Sequence, residues 1–436
     1  MLGKAIDNQV IMVYNGITTI MMVAECNSST VYIRLEGFMM ERVILHSDIN
    51  NFYASVECMK NPELKQYPIA VCGDAEERHG IVLAKNGKAK FFGVSTGEAI
   101  WQAKMKCPNL VIVSSDHEEY AKFSRYAREI YNRYTDQVEP FGLDECWLDV
   151  TGSTRLFGSG EKMAYEIKET IKRELGITAS VGVSFNKIFA KLASDMKKPD
   201  AVTVIPQDSF KEKIWYLPAS DMLGVGRKTY EKLCACGIRT IGQMATMPMD
   251  FFQRKFGKVG VDLWKAANGL DTSEAVTRDM EMLDKSCGHG ITTSRDLVDS
   301  SEVWKVMLEL SQNIGHRLHI YNRKAAGVSV SIRDNTLYTK QWQTRLPYMT
   351  QSPLHIAREA FSLFEKNYLW QNPIRSVTVR AIDLASLDAP EQFDLFFDTE
   401  RLMRSETLDK TVEGIRSRYG KNAIRNAVLI NNTIIN

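Results

Sequence analysis

The stretch Glu139-Pro-Phe-Gly-Leu-Asp-Glu-Cys-Trp-Leu-Asp-Val-Thr-Gly152 sets two adjacent carboxylates, Asp144 and Glu145, inside an otherwise apolar run. Residues 147–150 favour a strand, and the Pro-Phe-Gly before the acids favours a tight turn, so the stretch predicts a β-hairpin. Neighbouring carboxylates repel each other, and withdrawing them from water costs free energy. A hairpin that keeps them together therefore indicates a bound cation, and oxygen ligands favour Mg²⁺ over Zn²⁺. The hairpin alone leaves a solvated Asp-Glu turn open as an alternative.

The bulk composition is that of a globular protein with several domains. The chain has 436 residues, 44% of them hydrophobic and 25% charged, which is too long for one ordinary core. A net charge of +2 does not by itself indicate a nucleic-acid partner. No apolar run is long enough to span a bilayer, and the scattered cysteines, without a Cys-x-x-Cys pair, predict a reducing cytoplasm.

The order of elements predicts a split βαβ core. Residues 1–40 hold two short apolar runs around Asn15-Gly16, which allow a hairpin; we interpret them as an N-terminal extension and assign them no function. From residue 41 onward, strands and helices alternate, which predicts a mostly antiparallel sheet with helices to one side. The predicted strands are 43–47, ended by Asp48, then 68–72, 110–113 and 178–184, and the predicted helices are 51–60, 84–106, 120–134, 161–175 and 187–196.

The later part of the chain changes character. Leu223-Gly-Val-Gly-Arg227 joins two helical patterns, and a Gly-rich turn of this kind leaves backbone N–H groups free to hold a phosphate. An ordinary helical corner is the alternative. Residues 290–350 predict a second α/β unit with a modest basic bias, joined by a strand at 375–385. After residue 390 the chain becomes charged, and we expect a loosely attached tail with a last helix near 409–419.

Asp48 ends one predicted strand, and Asp144 and Glu145 follow about a hundred residues later in the hairpin. In a split βαβ sheet these positions can lie on adjacent central strands, where the three carboxylates would hold two Mg²⁺ ions. One ion would lower the pKa of a 3′-hydroxyl, and the other would hold a triphosphate and the leaving pyrophosphate. Positioning and charge neutralisation supply most of the rate in such phosphoryl transfer.

Three long motifs in this order carry a resemblance to a known family. They are Asp48-Ile-Asn-Asn-Phe-Tyr-Ala-Ser-Val-Glu57, Gly142-Leu-Asp-Glu-Cys-Trp-Leu-Asp-Val-Thr151 and Gly182-Val-Ser-Phe-Asn-Lys-Ile-Phe-Ala-Lys-Leu-Ala-Ser-Asp-Met-Lys-Lys-Pro199. Together they resemble the Y-family DNA polymerases, and the bacterial DinB (ImpB/MucB/SamB) type most of all. The resemblance covers roughly residues 41–400, and three motifs at suitable spacing make it specific.

The resemblance implies an α+β right-hand polymerase with a ferredoxin-like palm, small fingers, a helical helix-hairpin-helix thumb and an α/β little finger. It implies a cytoplasmic, nucleoid-associated monomer that adds dNMPs to the primer 3′-end of primer-template DNA, with low fidelity and lesion bypass. Because every long segment is already assigned, no room is left for a proofreading exonuclease. The predicted domains are the N-terminal extension (1–40), palm (41–76 and 116–214), fingers (77–115), thumb (215–285), little finger (286–390) and C-terminal tail (391–436).

The resemblance also implies roles for single residues. The palm acids correspond to Asp48, Asp144 and Glu145, and the backbone carbonyl of Ile49 would complete a metal shell. Tyr53 falls at the steric-gate position, where an aromatic ring leaves no room for a ribose hydroxyl, and core packing is its alternative. The nucleotide-binding residues are predicted to include neighbouring Phe52, although its helix spacing suits core packing, together with Lys90 and Lys198.

Two further contacts follow from the resemblance. Lys198 matches a lysine that contacts the triphosphate and can neutralise developing charge, whereas a solvated pair with Lys197 is the alternative. In the thumb, Gly224, Gly226 and Arg227 would grip the DNA backbone without reading sequence, so that affinity should fall steeply with salt.

The fingers depart from the family pattern. The family usually carries Tyr and, three residues later, Arg, both on triphosphate oxygens. Here Gly87 and Lys90 take those places. Lysine keeps the charge but loses the bidentate fork, and glycine loses the hydroxyl altogether. We therefore predict weaker nucleotide affinity than in relatives, unless Lys85 or Lys88 compensates.

The tail contains Gln392-Phe-Asp-Leu-Phe-Phe397, which resembles the short peptide by which bacterial polymerases dock on the sliding clamp. An apolar triple in a polar tail is otherwise an aggregation risk, and a partner pocket explains it better than solvent does. The predicted clamp contacts are Gln392, Leu395, Phe396 and Phe397.

Two other functions stay open on the sequence. A non-catalytic DNA-binding scaffold on a polymerase fold would suit Gly87, but the three retained acids argue against it. A nucleotide cyclase would share the palm, but it has no duplex for a thumb and little finger to hold.

Overall fold

The computed structural model describes residues 9–14, 17–26, 29–37, 41–73, 80–276, 285–390, 399–420 and 422–430. It divides into two compact units, one made of Met1–Cys72 and Ile81–Met280 and the other of Gly73–Gly80 and Glu281–Asn436.

The N-terminal extension forms a sheet of its own. Its strands β1 (Gln9–Tyr14), β2 (Ile17–Cys26) and β3 (Ser29–Gly37) pair antiparallel in the order β1-β2-β3. Tyr14 pairs with Ile17, so the hairpin that the sequence allowed is confirmed. The third strand was not predicted.

The rest of the first unit holds two sheets and a helical region. The five-stranded palm sheet has the order β11-β10-β4-β9-β8, and the three-stranded fingers sheet has the order β6-β5-β7. In chain order the elements are β4 (Ile44–Ile49), α1 (Phe52–Lys60), β5 (Ile69–Cys72), β6 (Val82–Lys85), α2 (Gly87–Phe91), α3 (Ile100–Lys106), β7 (Val111–Ser114), α4 (His117–Tyr131), β8 (Val138–Phe141), β9 (Glu145–Asp149), α5 (Thr154–Phe157), α6 (Gly160–Leu175), β10 (Ala179–Ser184), α7 (Lys187–Met196), β11 (Val202–Ile205), α8 (Phe210–Ile214), α9 (Arg227–Ala235), α10 (Ile241–Thr246) and α11 (Met249–Ala267).

Strand β4 lies at the centre of the palm sheet and is buried along its whole length. Successive side chains of a strand point to opposite faces. Leu45 and Ile49 join the main palm core, which α4 and α6 cover, whereas Ile44 packs with Ala190 of α7. Helices therefore cover both faces of the palm sheet, and the prediction that they lie on one side is wrong. Asp48 shares the face of Ile44 and so lies under α7.

Strand β5 joins the palm to the fingers through its two faces. Ile69 and Val71 belong to the palm core, whereas Ala70 and Cys72 belong to a small fingers core. It pairs with β6 and β7, on both sides of the predicted domain boundary at residue 76.

The helix predicted over residues 84–106 is wrong in part. Strand β6 ends at Lys85, and two short helices, α2 and α3, follow it. Between them Gly93 and Gly97 adopt φ angles of 79° and 86°, in the left-handed region that interrupts a helix. Because the residues of this stretch favour a helix in composition, the sequence did not indicate the break.

Helices α8 to α11 form a second core after the palm sheet, which they share with α7 and the end of β11. Its buried side chains include Ile214, Leu233, Met244 and Phe252. Two helices were expected around residues 223–227, but a short 3₁₀ turn, Ala219–Asp221, precedes this segment in place of an α-helix.

The second unit is one antiparallel sheet with helices packed on it, in the strand order β12-β15-β13-β14. This confirms the predicted α/β unit. Helices α12 and α13 bury their apolar faces with the sheet, through residues such as Val306, Ile314 and Phe364. The elements are β12 (Ser286–Leu297), α12 (Ser300–Ile320), β13 (Arg323–Asp334), β14 (Thr339–Thr350), α13 (Pro353–Asn367), β15 (Ile374–Ser386) and α14 (Thr399–Tyr419).

The tail is more firmly attached than the sequence suggested. Helix α14 begins ten residues before the predicted start, and Glu406 lies 3.3 Å from the Lys324 ammonium. Glu413 contacts His316 of α12. Further on, Leu429 is buried with Leu308 and Ala357. The tail is therefore part of the second unit. Among all the helices described here, none is long and apolar enough to cross a membrane.

Candidate active site

The palm sheet brings the predicted acids together. Strand β4 pairs antiparallel with β9, and Asp48 lies directly opposite Glu145. The Ile49 N–H donates a hydrogen bond of 3.0 Å to the Asp144 carbonyl, which ties the turn before β9 to the end of β4. The expected adjacency of these strands is confirmed, and one edge of the sheet carries all three carboxylates.

Two lysines pair with two of these carboxylates, Asp48 and Glu145. The Lys198 ammonium lies 2.7 Å from Asp48 Oδ2, and the Lys191 ammonium lies 3.3 Å from the same oxygen. Lys191 also lies 2.9 Å from Glu145 Oε1. Asp195 accepts from both lysines, at 2.7 Å from Lys198 and 3.3 Å from Lys191. The carboxylates of Asp48, Glu145 and Asp195 therefore form a partly buried network with the two lysine ammonium groups.

The charges of the site separate the pKa values of its acids. Burial, and then the charges of Asp48 and Glu145, raise the pKa of Asp144 to about 6. Burial alone would raise the pKa of Glu145, but His46 and Lys191 outweigh it and lower that pKa to about 2. Burial also raises the pKa of Asp48, against the pull of Lys198. Asp144 is therefore the acid whose negative charge is least compensated.

The turn that presents Lys198 is fixed by Asn50. The Asp200 N–H donates to Asn50 Oδ1 at 2.8 Å, and the Thr178 hydroxyl donates to the same oxygen at 3.1 Å. The amide of Asn50 in turn donates to Ser180 Oγ at 2.9 Å. The end of β4, the start of β10 and the turn after α7 are thus joined through one buried side chain.

Tyr53 lies on α1 next to the acids and is backed by other rings. Its ring stacks on Tyr120 with centroids 4.1 Å apart, and the edge of His117 contacts both. The buried Tyr120 hydroxyl donates to Glu57 Oε1 at 2.7 Å. Burial, and then the charge of Asp144, raise the pKa of Tyr53, which places that ring within the field of the acid. Tyr53 is partly exposed, which leaves one side of its ring accessible.

Phe52, in contrast, is 3% exposed and belongs to the palm core. Its predicted nucleotide contact therefore finds no support in its position, and its alternative as a packing residue does.

The fingers place several lysines around Gly87. Lys90 is exposed on α2, and Lys88 donates to the Gln66 carbonyl at 2.8 Å. Lys85 donates to Thr96 Oγ1 at 3.0 Å. Burial, and then the charge of Lys90, lower the pKa of Lys85, so these two cations repel each other. An anion bound beside them would relieve that repulsion.

The predicted thumb contacts lie at the start of α9. Gly226 is its N-cap, without a side-chain hydrogen bond, and Gly224 adopts a φ of 90°. Arg227 is largely exposed and lies 3.5 Å from Glu231. This helix start is open to an anion. The predicted clamp contacts, Gln392, Leu395, Phe396 and Phe397, lie outside the described residues.

The sequence analysis missed several polar residues of the site. Lys191 and Asp195 lie in the third motif, of which only Lys198 was selected. Lys191 and Asp195 are four residues apart and therefore share one face of α7, and this spacing was the signal that could have found them. His46 was missed because a lone histidine within an apolar strand carries no such pattern.

Comparison with known proteins shows which family the chain resembles. The model of the impB/mucB/samB family matches residues 47–195, and that of its C-terminal domain matches residues 284–395. The model of the DNA polymerase-iota thumb domain matches residues 220–271. A Y-family DNA polymerase chimera of Dbh and Dpo4 superimposes with a TM-score of 0.72 at 22% identity, covering 79% of this chain and 99% of that one. That likeness concerns the fold.

Sequence relatives add to this. The DNA polymerase IV of Acetivibrio thermocellus is 50% identical over 397 residues, which are 91% of this chain and 100% of that protein. The DNA polymerase IV of Clostridium acetobutylicum is 35% identical over 398 residues, which are 90% of this chain and 99% of that protein. The chain therefore belongs to the Y family of DNA polymerases, in its DinB-type impB/mucB/samB branch.

Proposed function

We propose that this chain, a DNA-directed DNA polymerase, extends a primer by two-metal phosphoryl transfer in which Asp48, Asp144 and Glu145 hold the ions. The observation that carries the proposal is the pairing of Asp48 with Glu145 at the edge where Asp144 also lies. Three carboxylates at one edge, one of them with a pKa of about 6, form a site that gains from added positive charge.

The donor set fits Mg²⁺. All three acids offer oxygen atoms, which hard cations prefer, and the Ile49 carbonyl is proposed as a further ligand. Within the described residues the acids do not already converge in a metal-binding arrangement; Lys191 and Lys198 hold two of them. Bound metal ions would therefore replace the Lys191 and Lys198 ammonium groups beside Asp48 and Glu145. Bound Mg²⁺ supplies a lowered pKa for the primer 3′-hydroxyl and neutralises the phosphate charge.

The cationic side chains are proposed to bind and orient the triphosphate. Lys198 turns toward the acids from the end of α7, where it can contact phosphate oxygens beside them. Lys90 and the partly buried Lys85 repel each other, which favours a shared anion. Lys85 is proposed to compensate for Gly87, because it lies within the field of Lys90 and the two could share one anion.

Tyr53 is proposed to exclude ribonucleotides. Its ring is rigidly backed by Tyr120 and lies within the field of Asp144, so it would meet the sugar of a nucleotide bound at the acids. Because Tyr120 holds the Tyr53 ring in place, the ring would leave no space for a 2′-hydroxyl.

Primer-template DNA is the proposed macromolecular substrate. The open start of α9 suits a backbone phosphate, and this grip would be independent of sequence. Low fidelity, lesion bypass and the lack of proofreading are proposed from family membership, as are a monomeric state and a cytoplasmic, nucleoid-associated location. Clamp docking through Gln392, Leu395, Phe396 and Phe397 is proposed from their residue pattern.

A single assay tests the activity and its mechanism. The protein is incubated with primer-template, dNTPs and Mg²⁺, beside an Asp144→Ala variant. We expect extension by the wild type and a loss of several orders of magnitude in the variant with DNA binding retained. DNA binding without extension would indicate a scaffold, cyclic products would indicate a cyclase, and an active Asp144→Ala variant would refute the assignment of the acids.

Clamp docking needs a gentler change than removal of residues 391–436, because that deletion would strip α14 and the buried Leu429 from the second unit. Replacement of Leu395, Phe396 and Phe397 by alanine is expected to leave distributive synthesis intact and to abolish stimulation by the clamp. Unchanged stimulation would contradict the docking role.

A further inference from the structure

A fully buried histidine lies directly behind the acids. His46, on β4 two residues before Asp48, has no exposed surface. Its Nδ1 lies 2.9 Å from the Ser194 hydroxyl of α7, and its Nε2 lies 3.4 Å from Glu145 Oε2. The edge of its ring contacts Trp147, with centroids 5.2 Å apart at 62°. The ring is thus held from three sides, and one nitrogen points at a proposed metal ligand.

The two facing atoms have no other partner. Within the described residues, both His46 Nε2 and Glu145 Oε2 are buried side-chain atoms without a hydrogen bond. A buried polar atom that stays unpaired destabilises the folded state. An approach of a few tenths of an ångström would pair the two atoms with each other, which removes both costs at once.

The Glu145 carboxylate selects the tautomer of the ring, and Ser194 can adapt to it. Ser194 Oγ lies within reach of two acceptors, the Lys191 carbonyl at 2.8 Å and His46 Nδ1. If the hydroxyl donates to the carbonyl, the histidine proton sits on Nδ1 and the Nε2 lone pair faces a carboxylate, which is repulsive. If it donates to Nδ1, the proton sits on Nε2 and points at Glu145. The charge of the carboxylate favours the second arrangement.

A glycine on the neighbouring strand allows α7 to come close enough for Ser194 to contact His46. Gly182 on β10 lies opposite His46 across the sheet. A Cβ at Gly182 would lie 2.0 Å from the Ala190 carbonyl oxygen and 2.5 Å from the Ser194 nitrogen. Helix α7 therefore rests on the strand backbone, and this close approach delivers Ser194 to the ring.

We propose that His46 is a positioning residue that donates from Nε2 to Glu145 Oε2, in the tautomer that the carboxylate charge favours and that the Ser194 hydroxyl accommodates by donating to Nδ1, so that Glu145 Oε1 is left to face the proposed metal ions. Glu145 Oε1 is the oxygen that faces the Lys191 ammonium, at 2.9 Å. The inference rests on the proposed role of Glu145 as a metal ligand. Outer hydrogen bonds of this kind orient ligands, and their loss typically weakens metal binding by about 10- to 100-fold.

The substitutions separate the two nitrogens of the ring. Glutamine can place its amide nitrogen near the position of Nε2, and asparagine can place its own near Nδ1. His46→Gln keeps the donor to Glu145 and loses the contact with Ser194, whereas His46→Asn does the reverse. His46→Phe keeps a ring against Trp147 and loses both. Thermal unfolding of each metal-free variant checks that it folds.

The main readout is metal binding without turnover. Mn²⁺ affinity is measured by electron paramagnetic resonance on protein bound to a dideoxy-terminated primer-template and the complementary dNTP. We expect His46→Phe and His46→Asn to bind Mn²⁺ about 10-fold more weakly and His46→Gln to stay within about threefold of the wild type. Ser194→Ala should fall between them. Equal affinities for the Phe, Asn and Gln variants would overturn the proposal.

A double-mutant comparison separates this inference from the function on which it rests. If His46 acts through Glu145, His46→Phe should weaken Mn²⁺ binding no further in a Glu145→Gln background. An additive loss would mean that His46 has a general structural effect, and would overturn the proposal. If Glu145→Gln alone keeps wild-type Mn²⁺ affinity and extension, the proposed role of Glu145 fails instead.

Discussion

Gly182→Ala is expected to damage both the stability of the first unit and the activity of its site. The added methyl carbon would lie 2.0 Å from the Ala190 carbonyl oxygen, 2.5 Å from the Ser194 nitrogen and 2.8 Å from Ala193 Cβ. Two of these atoms are backbone atoms of α7, which cannot rotate away. The helix itself must therefore move outward, and with it the side chains that it directs at the acids.

The size of the effect follows from the contacts. Overpacking of a well-packed core typically costs about 1–3 kcal/mol, and backbone clashes below 3 Å place this variant at the upper end of that range. For units of this size such a loss lowers the melting temperature by about 6–12 °C. A shift of α7 by an ångström also displaces Lys191 and Lys198, and misplacement on that scale can cost about 100-fold in rate.

The assay pairs thermal unfolding with primer-extension kinetics. Gly152→Ala is the matched control, because a Cβ there would meet nothing within 4 Å and the site lies elsewhere. The control should melt and extend like the wild type at a temperature where both proteins are folded. A Gly182→Ala protein with a wild-type melting temperature and a wild-type kcat/KM would refute the close-packing argument.

Three further results are expected. In metal-free buffer at pH 8, Asp144→Asn should raise the free energy of unfolding by as much as about 3 kcal/mol, since it relieves the burial and repulsion that hold the Asp144 pKa near 6. A raised acid pKa destabilises the folded state as pH rises from about 4 to 6, so the gain should shrink toward pH 4 in thermal melts; a pH-independent gain would contradict this reasoning. Gly87→Tyr should lower the KM for dNTPs in primer extension, because the position has open space for a side chain, and an unchanged KM would argue against the predicted deficit. Tyr53→Ala should increase rNTP use relative to dNTP, and Tyr120→Leu, which removes the ring stacked behind Tyr53, should weaken the same discrimination by up to about 10-fold in competition assays; a Tyr120→Leu enzyme with intact discrimination would show that the gate needs no support.

The strands and the acids were accessible from the sequence for a physical reason. Two stretches place carboxylates where burial is expected. One is an apolar β-branched run that ends in an aspartate, and the other is an Asp-Glu pair before an apolar run. Such conflicts between charge and burial are local and visible in a string of residues. The antiparallel pairing of β4 and β9 then follows from the fold class, and with it the approach of Asp48 to Glu145.

Long-range contacts were not accessible in the same way. The prediction of helices on one side of the palm sheet missed that α7 covers the other face, since amphipathic periodicity shows which face of a helix is buried but does not identify its partner. The break between β6, α2 and α3 was missed because Gly93 and Gly97 resemble ordinary surface glycines in sequence. Helix α14 makes polar contacts with His316 of α12 and Lys324 of β13, and these cannot be read from a charged tail alone.

The third motif acquires a different meaning once α7 is placed. Read as a string, it offered one lysine for a phosphate. In the structure one face of α7 carries Lys191 and Asp195, with Lys198 just beyond its end, and the same helix supplies Ser194 to His46. Three carboxylates at one sheet edge would be costly to keep buried without counter-charges, and α7 supplies those charges from directly above them. Because Gly182 lets this helix rest on the strand backbone, the balance of charge at the site depends on a residue that carries no charge itself.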